Sequence, residues 1–231
     1  MNDQAESRPV PLNSGDVFEA LGLLAVAGAV LVGAEYLLGL LVTSDSASFL
    51  ESGFDVPILE FFQGFRSPAV TDLMRATTFF GGTLAVMFLL VGAAIVSFRF
   101  TKNPRWPIFF VAVLVGAPQF STLLKELLDR PRPTISPLYE VTSAAFPSGH
   151  ATAAAACFGA LGYFLAFRLR PSLSRFVWVC VVAVAALIGL TRVYLGVHWP
   201  TDVVGGWLLG AAWVVAVVLA IRPRLEEGCG G

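Results

Sequence analysis

The chain has 231 residues, 56% of them hydrophobic and 13% charged, with a net charge of −1. Soluble domains carry roughly 25% charged residues, so this composition, with a mean hydropathy of +0.76, excludes an ordinary soluble domain and indicates a membrane protein. The even charge balance excludes a nucleic-acid binder, because no basic excess is present to neutralise a polyanion.

In chain order, residues 1–17 are polar and contain proline. They lack the charged-then-apolar layout of a cleaved signal peptide and read as a disordered lead-in. Six candidate spans follow. The first, 20–42, is interrupted only by Glu35; the others, 77–98, 106–124, 151–167, 176–191 and 203–221, hold no charge. A helix needs ~20 apolar residues to cross the hydrocarbon core. The fifth span is short on that count and is expected to extend across Arg175 and past Arg192. The expectation is an all-α membrane domain of six helices over 18–222, followed by a flexible tail over 223–231.

The connection 43–76 is too long for a turn. Its apolar residues (Ile58, Leu59, Phe61, Phe62, Phe65) are cut by Pro57 and Pro68, which predicts two short interfacial helices. Packing on the helix ends is their first expected role, and guiding a lipid the second. No internal repeat points to an inverted-repeat transporter.

Orientation follows from the basic residues. Arg99, Lys102 and Arg105 lie in the second connection, Arg168, Arg170 and Arg175 in the fourth, and Arg222 and Arg224 in the tail. The first connection is acidic, with Asp45, Glu51, Asp55, Glu60 and Asp72 against Arg66 and Arg75. The positive-inside rule then places both termini in the cytoplasm and the third and fifth connections outside. Trp106, Tyr194, Trp199 and Trp207 near span ends are expected in an aromatic belt. Glu35 is a costly intramembrane acid, expected to find a partner near the outer end rather than to act in catalysis. Cys157 and Cys180 read as small buried residues and Cys229 as an exposed thiol in the tail.

Three fragments carry the chemistry: Lys125 with Arg132-Pro133, then Pro147-Ser148-Gly149-His150, then Thr191-Arg192 with His198 and Asp202. They contain both histidines of the chain. Lys125, Arg132 and Arg192 supply cations suited to phosphate oxygens, Arg as a planar fork and Lys as a point charge. Ser148 and the backbone N–H of Gly149 stand at the start of the fourth span, where a helix N-terminus forms an anion site. Asp202 lies four residues after His198, one helical turn, so it can hold one ring nitrogen and leave the other free to attack phosphorus. His150 is then the general acid for the leaving oxygen and the base for water. No cofactor or metal is called for, since no carboxylate cluster stands beside the histidines.

Singly, each fragment has a bland reading: an interfacial histidine, or a rigid positive connector at Arg130–Pro133. Those readings leave unexplained why both histidines fall into one constellation. Arg130 is expected to be a headgroup contact or solvated charge, Glu126 and Asp129 to partner nearby cations, and Tyr139 and Glu140 to fill a loop.

Together the three fragments resemble the tripartite motif of the type 2 phosphatidic acid phosphatase superfamily, over Lys125–Asp202, and the six-span layout extends the resemblance across nearly the whole chain. The resemblance implies a nucleophile at His198, oriented by Asp202, an acid at His150, and phosphate binding by Lys125, Arg132, Ser148, Gly149 and Arg192. The third motif usually opens with Ser, where this chain has Thr191; the hydroxyl is kept. The implied activity is hydrolysis of a membrane lipid phosphate such as undecaprenyl diphosphate, phosphatidic acid or phosphatidylglycerol phosphate, with the lipid bilayer as the only other partner expected. The implied setting is a bacterial plasma membrane with the active site at its outer face. A phosphotransferase with the same motifs, or more remotely a lipid-phosphate transporter, stands as the alternative.

Overall fold

The computed structural model describes residues 14–43 and 48–221. The expected tail with Cys229, and all but the last four residues of the expected lead-in, lie outside them. The elements are α1 (Ser14–Thr43), α2 (Ser48–Leu50), a π-helical stretch (Glu51–Asp55), α3 (Val56–Gln63), α4 (Pro68–Phe79), α5 (Thr83–Thr101), α6 (Arg105–Leu128), α7 (Gly149–Arg168), α8 (Pro171–Tyr194) and α9 (Pro200–Ile221). No strand occurs among the described residues. Six of these helices, α1 and α5 to α9, are long and apolar enough to cross a membrane.

Helix α1 begins at Ser14, inside the segment expected to be disordered. The fifth span extends as expected, from Pro171 to Tyr194, because Arg175 and Arg192 sit near its ends rather than mid-span.

The connection after α1 forms two helical pieces. Residues 48–63 run on from α2 through the π-helical stretch into α3. Helix α4 then starts with Ser67 as N-cap, its hydroxyl accepting from Val70 N at 3.3 Å, and with Pro68 in the first turn. Both pieces pack on one end of the bundle: α3 and α4 touch α8, and the π-helical stretch touches α9.

Helix α7 is central, contacting α5, α6, α8 and α9, while α1 packs chiefly on α6 and α9 at the periphery. Only 6% of the residues in the most apolar window of α1 are buried against the protein, which leaves most of this apolar helix surface for lipid. The α7–α9 seam depends on missing side chains. A Cβ on Gly206 would lie 2.6 Å from Ser148 O, and one on Gly210 would lie 2.4 Å from Thr152 O. Two glycines one turn apart therefore bring the α9 backbone against the start of α7.

The apolar core lies towards the other end of the bundle and joins Trp106, Phe109 and Phe110 of α6 to Cys157 and Ala160 of α7 and Trp213 of α9. This corrects the aromatic-belt expectation. Trp106 is fully buried and stacks edge-on with Phe109 and Phe164. Tyr194 and Trp199 are buried too, so helix ends here are packing sites as well as interfacial ones. Glu35 is buried against α9 near Gly205, with its Oε2 lacking a hydrogen-bond partner among the described residues.

Candidate active site

The three sequence fragments converge at one end of the bundle. Lys125 occupies the last turn of α6, Ser148 is the N-cap of α7, Arg192 lies in the last turn of α8, and Asp202 in the first turn of α9. Backbone bonds lock the fragments to one another. Ser148 N donates to Asp202 O at 2.9 Å, Ala145 N to Arg130 O at 2.8 Å, and Leu138 N to Leu195 O at 3.0 Å. Arg66, between α3 and α4, adds donors to Ser136 O and Tyr194 O.

Between α8 and α9 the chain turns sharply at Gly196, whose φ of +74° lies in the left-handed region. A Cβ there would sit 3.0 Å from the Arg66 guanidinium and 3.1 Å from Pro137 Cα, so only glycine fits both the dihedral and the space. This turn presents His198 to the site.

His198 is held from two sides. Its Nδ1 lies 3.3 Å from Asp202 Oδ2, and Arg132 Nη1 lies 3.1 Å from its Nε2. A guanidinium only donates, so Nε2 is the lone-pair nitrogen and Nδ1 carries the proton shared with Asp202. Burial holds the imidazole well below its ordinary 6.5, and the charges of Arg132, Lys125 and Arg192, with His150, push in the same direction. The neutral ring is therefore the resting form. At 3% exposed, His198 is a packed residue and not the exposed helix-end imidazole its position implies.

The cations are oriented by backbone carbonyls. Lys125 Nζ donates to Ala144 O at 2.6 Å and Ala145 O at 3.3 Å. Arg132 donates from Nε to Ser143 O at 2.7 Å and from Nη1 to Val197 O. Arg192 Nη1 donates to Thr78 Oγ1 at 3.0 Å, and its guanidinium lies 5.6 Å from the Tyr139 ring, giving that loop residue a contact. Ser148 Oγ, Ser121 Oγ and Arg192 Nε of the site are buried without a hydrogen-bond partner among the described residues. The Ser148 hydroxyl does not cap its own helix, so it is free for an anion at the α7 N-terminus. Thr191 is not free, since its hydroxyl donates to Ile188 O at 2.6 Å within α8.

His150 lies on the α5 side of the site, near enough for its charge to act on His198. Its ring adjoins Gly81 and Gly82, and it lines a cleft of about 210 Å³ with Lys125, Gly149, Ser121, Val86 and Leu114. A second pocket of about 230 Å³ is lined by Arg132, Pro137, Tyr139, Thr142 and Val197 from the outer loops.

Sequence reasoning missed one part of the site. Arg130 is no solvated charge: it is buried between Asp55 and Asp202, pairing with Asp55 Oδ2 at 2.8 Å and with Asp202 Oδ1. Asp55 had no signal beyond an acid inside an apolar interfacial run. Ser121 was legible in principle, four residues before Lys125 and so on the same face of α6.

Residues 106–226, just over half of the chain, match the PAP2 superfamily. The chain belongs to the PAP2 superfamily. It is 35% identical over 151 residues to phosphatidylglycerophosphatase B of Bacillus subtilis, covering 63% of this chain and 72% of that protein. It is 34% identical over 110 residues to an undecaprenyl-diphosphatase of Sulfolobus acidocaldarius, covering 46% and 48% of the two chains. The crystal structure of a transmembrane PAP2-type phosphatidylglycerolphosphate phosphatase from Bacillus subtilis superposes with a TM-score of 0.67 at 27% identity, over 87% of this chain and 94% of that one. This PAP2 protein is accordingly a membrane-embedded lipid phosphatase.

Proposed function

We propose that the chain hydrolyses the phosphate monoester of phosphatidylglycerol phosphate through a phosphohistidine on His198, without a metal. The observation that carries this reading is the His198 ring itself, neutral, with Nδ1 against Asp202 and Nε2 facing Arg132. Lys125, Arg132, Arg192, Ser148 and the Gly149 N–H hold the phosphoryl oxygens. His198 Nε2 attacks phosphorus, and the electron pair of the breaking P–O bond goes to the lipid oxygen, which takes a proton from His150. The imidazolium so formed is balanced by Asp202. His150 then removes a proton from water, the water oxygen attacks phosphorus, and the P–N bond breaks to return His198 and release inorganic phosphate.

The placement of His150 supports this division of labour. Its cleft also carries Val86 and Leu114, an apolar lining that suits the lipid side of the substrate. The loop pocket beside Arg132 suits the phosphate side. Phosphatidylglycerol phosphate is chosen because the relative matched over most of its own length, and the superposing crystal structure, both carry that activity in their names. Undecaprenyl diphosphate is the second reading, from the archaeal relative. The positive-inside pattern sets this chemistry at the outer face of a bacterial plasma membrane.

The test is phosphate release by purified protein in detergent with chelator, from phosphatidylglycerol phosphate, phosphatidic acid and undecaprenyl diphosphate, with His198→Ala beside the wild type. Release led by phosphatidylglycerol phosphate and lost in the variant supports the reading. Turnover that needs an added divalent ion, or survives in His198→Ala, overturns it. Product that appears only with an added alcohol acceptor marks a phosphotransferase.

A further inference from the structure

Arg130 is 4% exposed, and both carboxylates it meets are fully buried. A cation so placed is tolerated only where its partners are complete, and these are complete. Arg130 Nη2 donates to Asp55 Oδ2 at 2.8 Å. Its Nη1 donates to Thr201 Oγ1 at 2.8 Å and to Asp202 Oδ1. Thr201 closes the ring, donating from its backbone N to Asp55 Oδ1 at 2.9 Å and from its hydroxyl to Asp55 Oδ2 at 2.7 Å. Every oxygen of Asp55 is therefore used to hold Arg130 and the start of α9.

The other oxygen of Asp202 is what reaches the nucleophile. Oδ2 accepts from Trp199 N at 2.8 Å and faces His198 Nδ1 at 3.3 Å. The Arg130 guanidinium also lies 5.8 Å from the Trp199 ring, whose Nε1 donates to Pro131 O at 3.0 Å. Two residues further on, Arg132 turns the opposite way, to Val197 O and His198 Nε2. The two arginines of one Arg-Pro-Arg-Pro run thus address opposite edges of one imidazole, Arg132 directly and Arg130 through Asp202. Asp55 comes from the π-helical stretch of the first outward connection, and π turns inside helices recur at functional sites.

We propose that Asp55 and Arg130 are positioning residues for catalysis: Asp55 clamps Arg130, and Arg130 fixes the rotation and charge of the Asp202 carboxylate that orients His198. The inference rests on the reading of His198 as nucleophile. Two acids and one cation leave one net negative charge beside the ring, which balances the imidazolium as Nε2 takes the phosphoryl group. The remaining charged groups that face His198 are Arg132, Lys125, Arg192 and His150, and none is altered by changes at residues 55 or 130. Asp55→Asn leaves Asp202 fully matched by Arg130, weakening its hold on the imidazolium. Arg130→Gln leaves two carboxylates and a stronger pull on a proton at His198.

The experiment is steady-state kinetics across pH on detergent-purified Asp55→Asn, Arg130→Gln, the double variant and His198→Ala, using phosphatidylglycerol phosphate and, in parallel, undecaprenyl diphosphate. A fall in kcat of about 10–100-fold in each single variant, with KM within about threefold, is expected, because the phosphate ligands are untouched. The acid limb of kcat/KM is expected to move down in Asp55→Asn and up in Arg130→Gln. A mere tether between the connection and α9 predicts no such opposite pair. The double variant removes the cation with one of its acids and remains measurable if Arg130→Gln does not accumulate. Its kcat loss is expected to be no larger than that of the worse single variant. Folded Asp55→Asn or double variant with kcat within twofold of wild type and an unmoved acid limb overturns the inference. That result beside a silent His198→Ala overturns it alone, whereas turnover in His198→Ala removes the nucleophile reading and this inference with it.

Discussion

At His198 the local environment sets both tautomer and charge. Nδ1 faces Asp202 and Nε2 faces a guanidinium, so the attacking lone pair is fixed on Nε2, beside the Arg132 cation. Because burial and three cations depress its proton affinity, the acid limb that His198 contributes to kcat/KM is expected below pH 6.5, not at it. The sign is fixed by the direction of the shift: the neutral form reacts, and a lowered pKa extends it to lower pH. A profile of kcat/KM between pH 4 and 8 checks this, and a limb above pH 6.5 contradicts it. His198→Ala is expected to lower kcat by at least about a thousandfold, as removal of a nucleophile does. Because the side chain is packed and not exposed, its thermal unfolding in detergent needs measuring beside the kinetics.

At the scale of elements, the seam between α7 and α9 aligns the second and third motifs. Gly210 is two turns beyond Asp202 on the same helix, and a Cβ there would meet Thr152 O at 2.4 Å. Gly210→Ala is therefore expected to force the helices apart at a cost of about 1–3 kcal/mol, lowering both the unfolding temperature and kcat. Gly92 on α5 has nothing within 4 Å of an added Cβ, so Gly92→Ala serves as the control and is expected to leave both unchanged or to stabilise slightly. Equal behaviour of the two variants argues against the seam as the alignment device. The long connection 129–148 behaves as an element although it has no helix. Its carbonyls at 143, 144 and 145 anchor Lys125 and Arg132.

For the whole molecule, the cations of the site lie at one end of the bundle, and the proposed orientation, from the positive-inside count, puts that end outside. A Thr142→Cys variant, with Cys180 and Cys229 replaced by Ser, is expected to react with a membrane-impermeant thiol reagent in intact cells. Labelling only after lysis reverses the orientation. The connection between α1 and α5 contributes Asp55 and Arg66 to the end that carries the site, so deleting it is expected to abolish activity rather than only alter lipid preference.

The class of fold was legible in the sequence because each span is a local property: ~20 apolar residues without charge cross a bilayer whatever their neighbours do. The three motifs were legible because phosphate chemistry restricts residue type, and a His just ahead of a helix start lies within local reach of an Asp in that helix's first turn. Arg130, Asp55 and Trp106 were not legible in this way. Their roles depend on partners far along the chain, Asp55 lying 75 residues from Arg130, and no spacing rule links such positions. Charge on a membrane protein reads as solvated or headgroup-bound until the fold shows a buried partner. Only the tertiary structure decided that Arg130 lies between two carboxylates, because a buried ion pair is set by which helix ends meet and not by either segment alone.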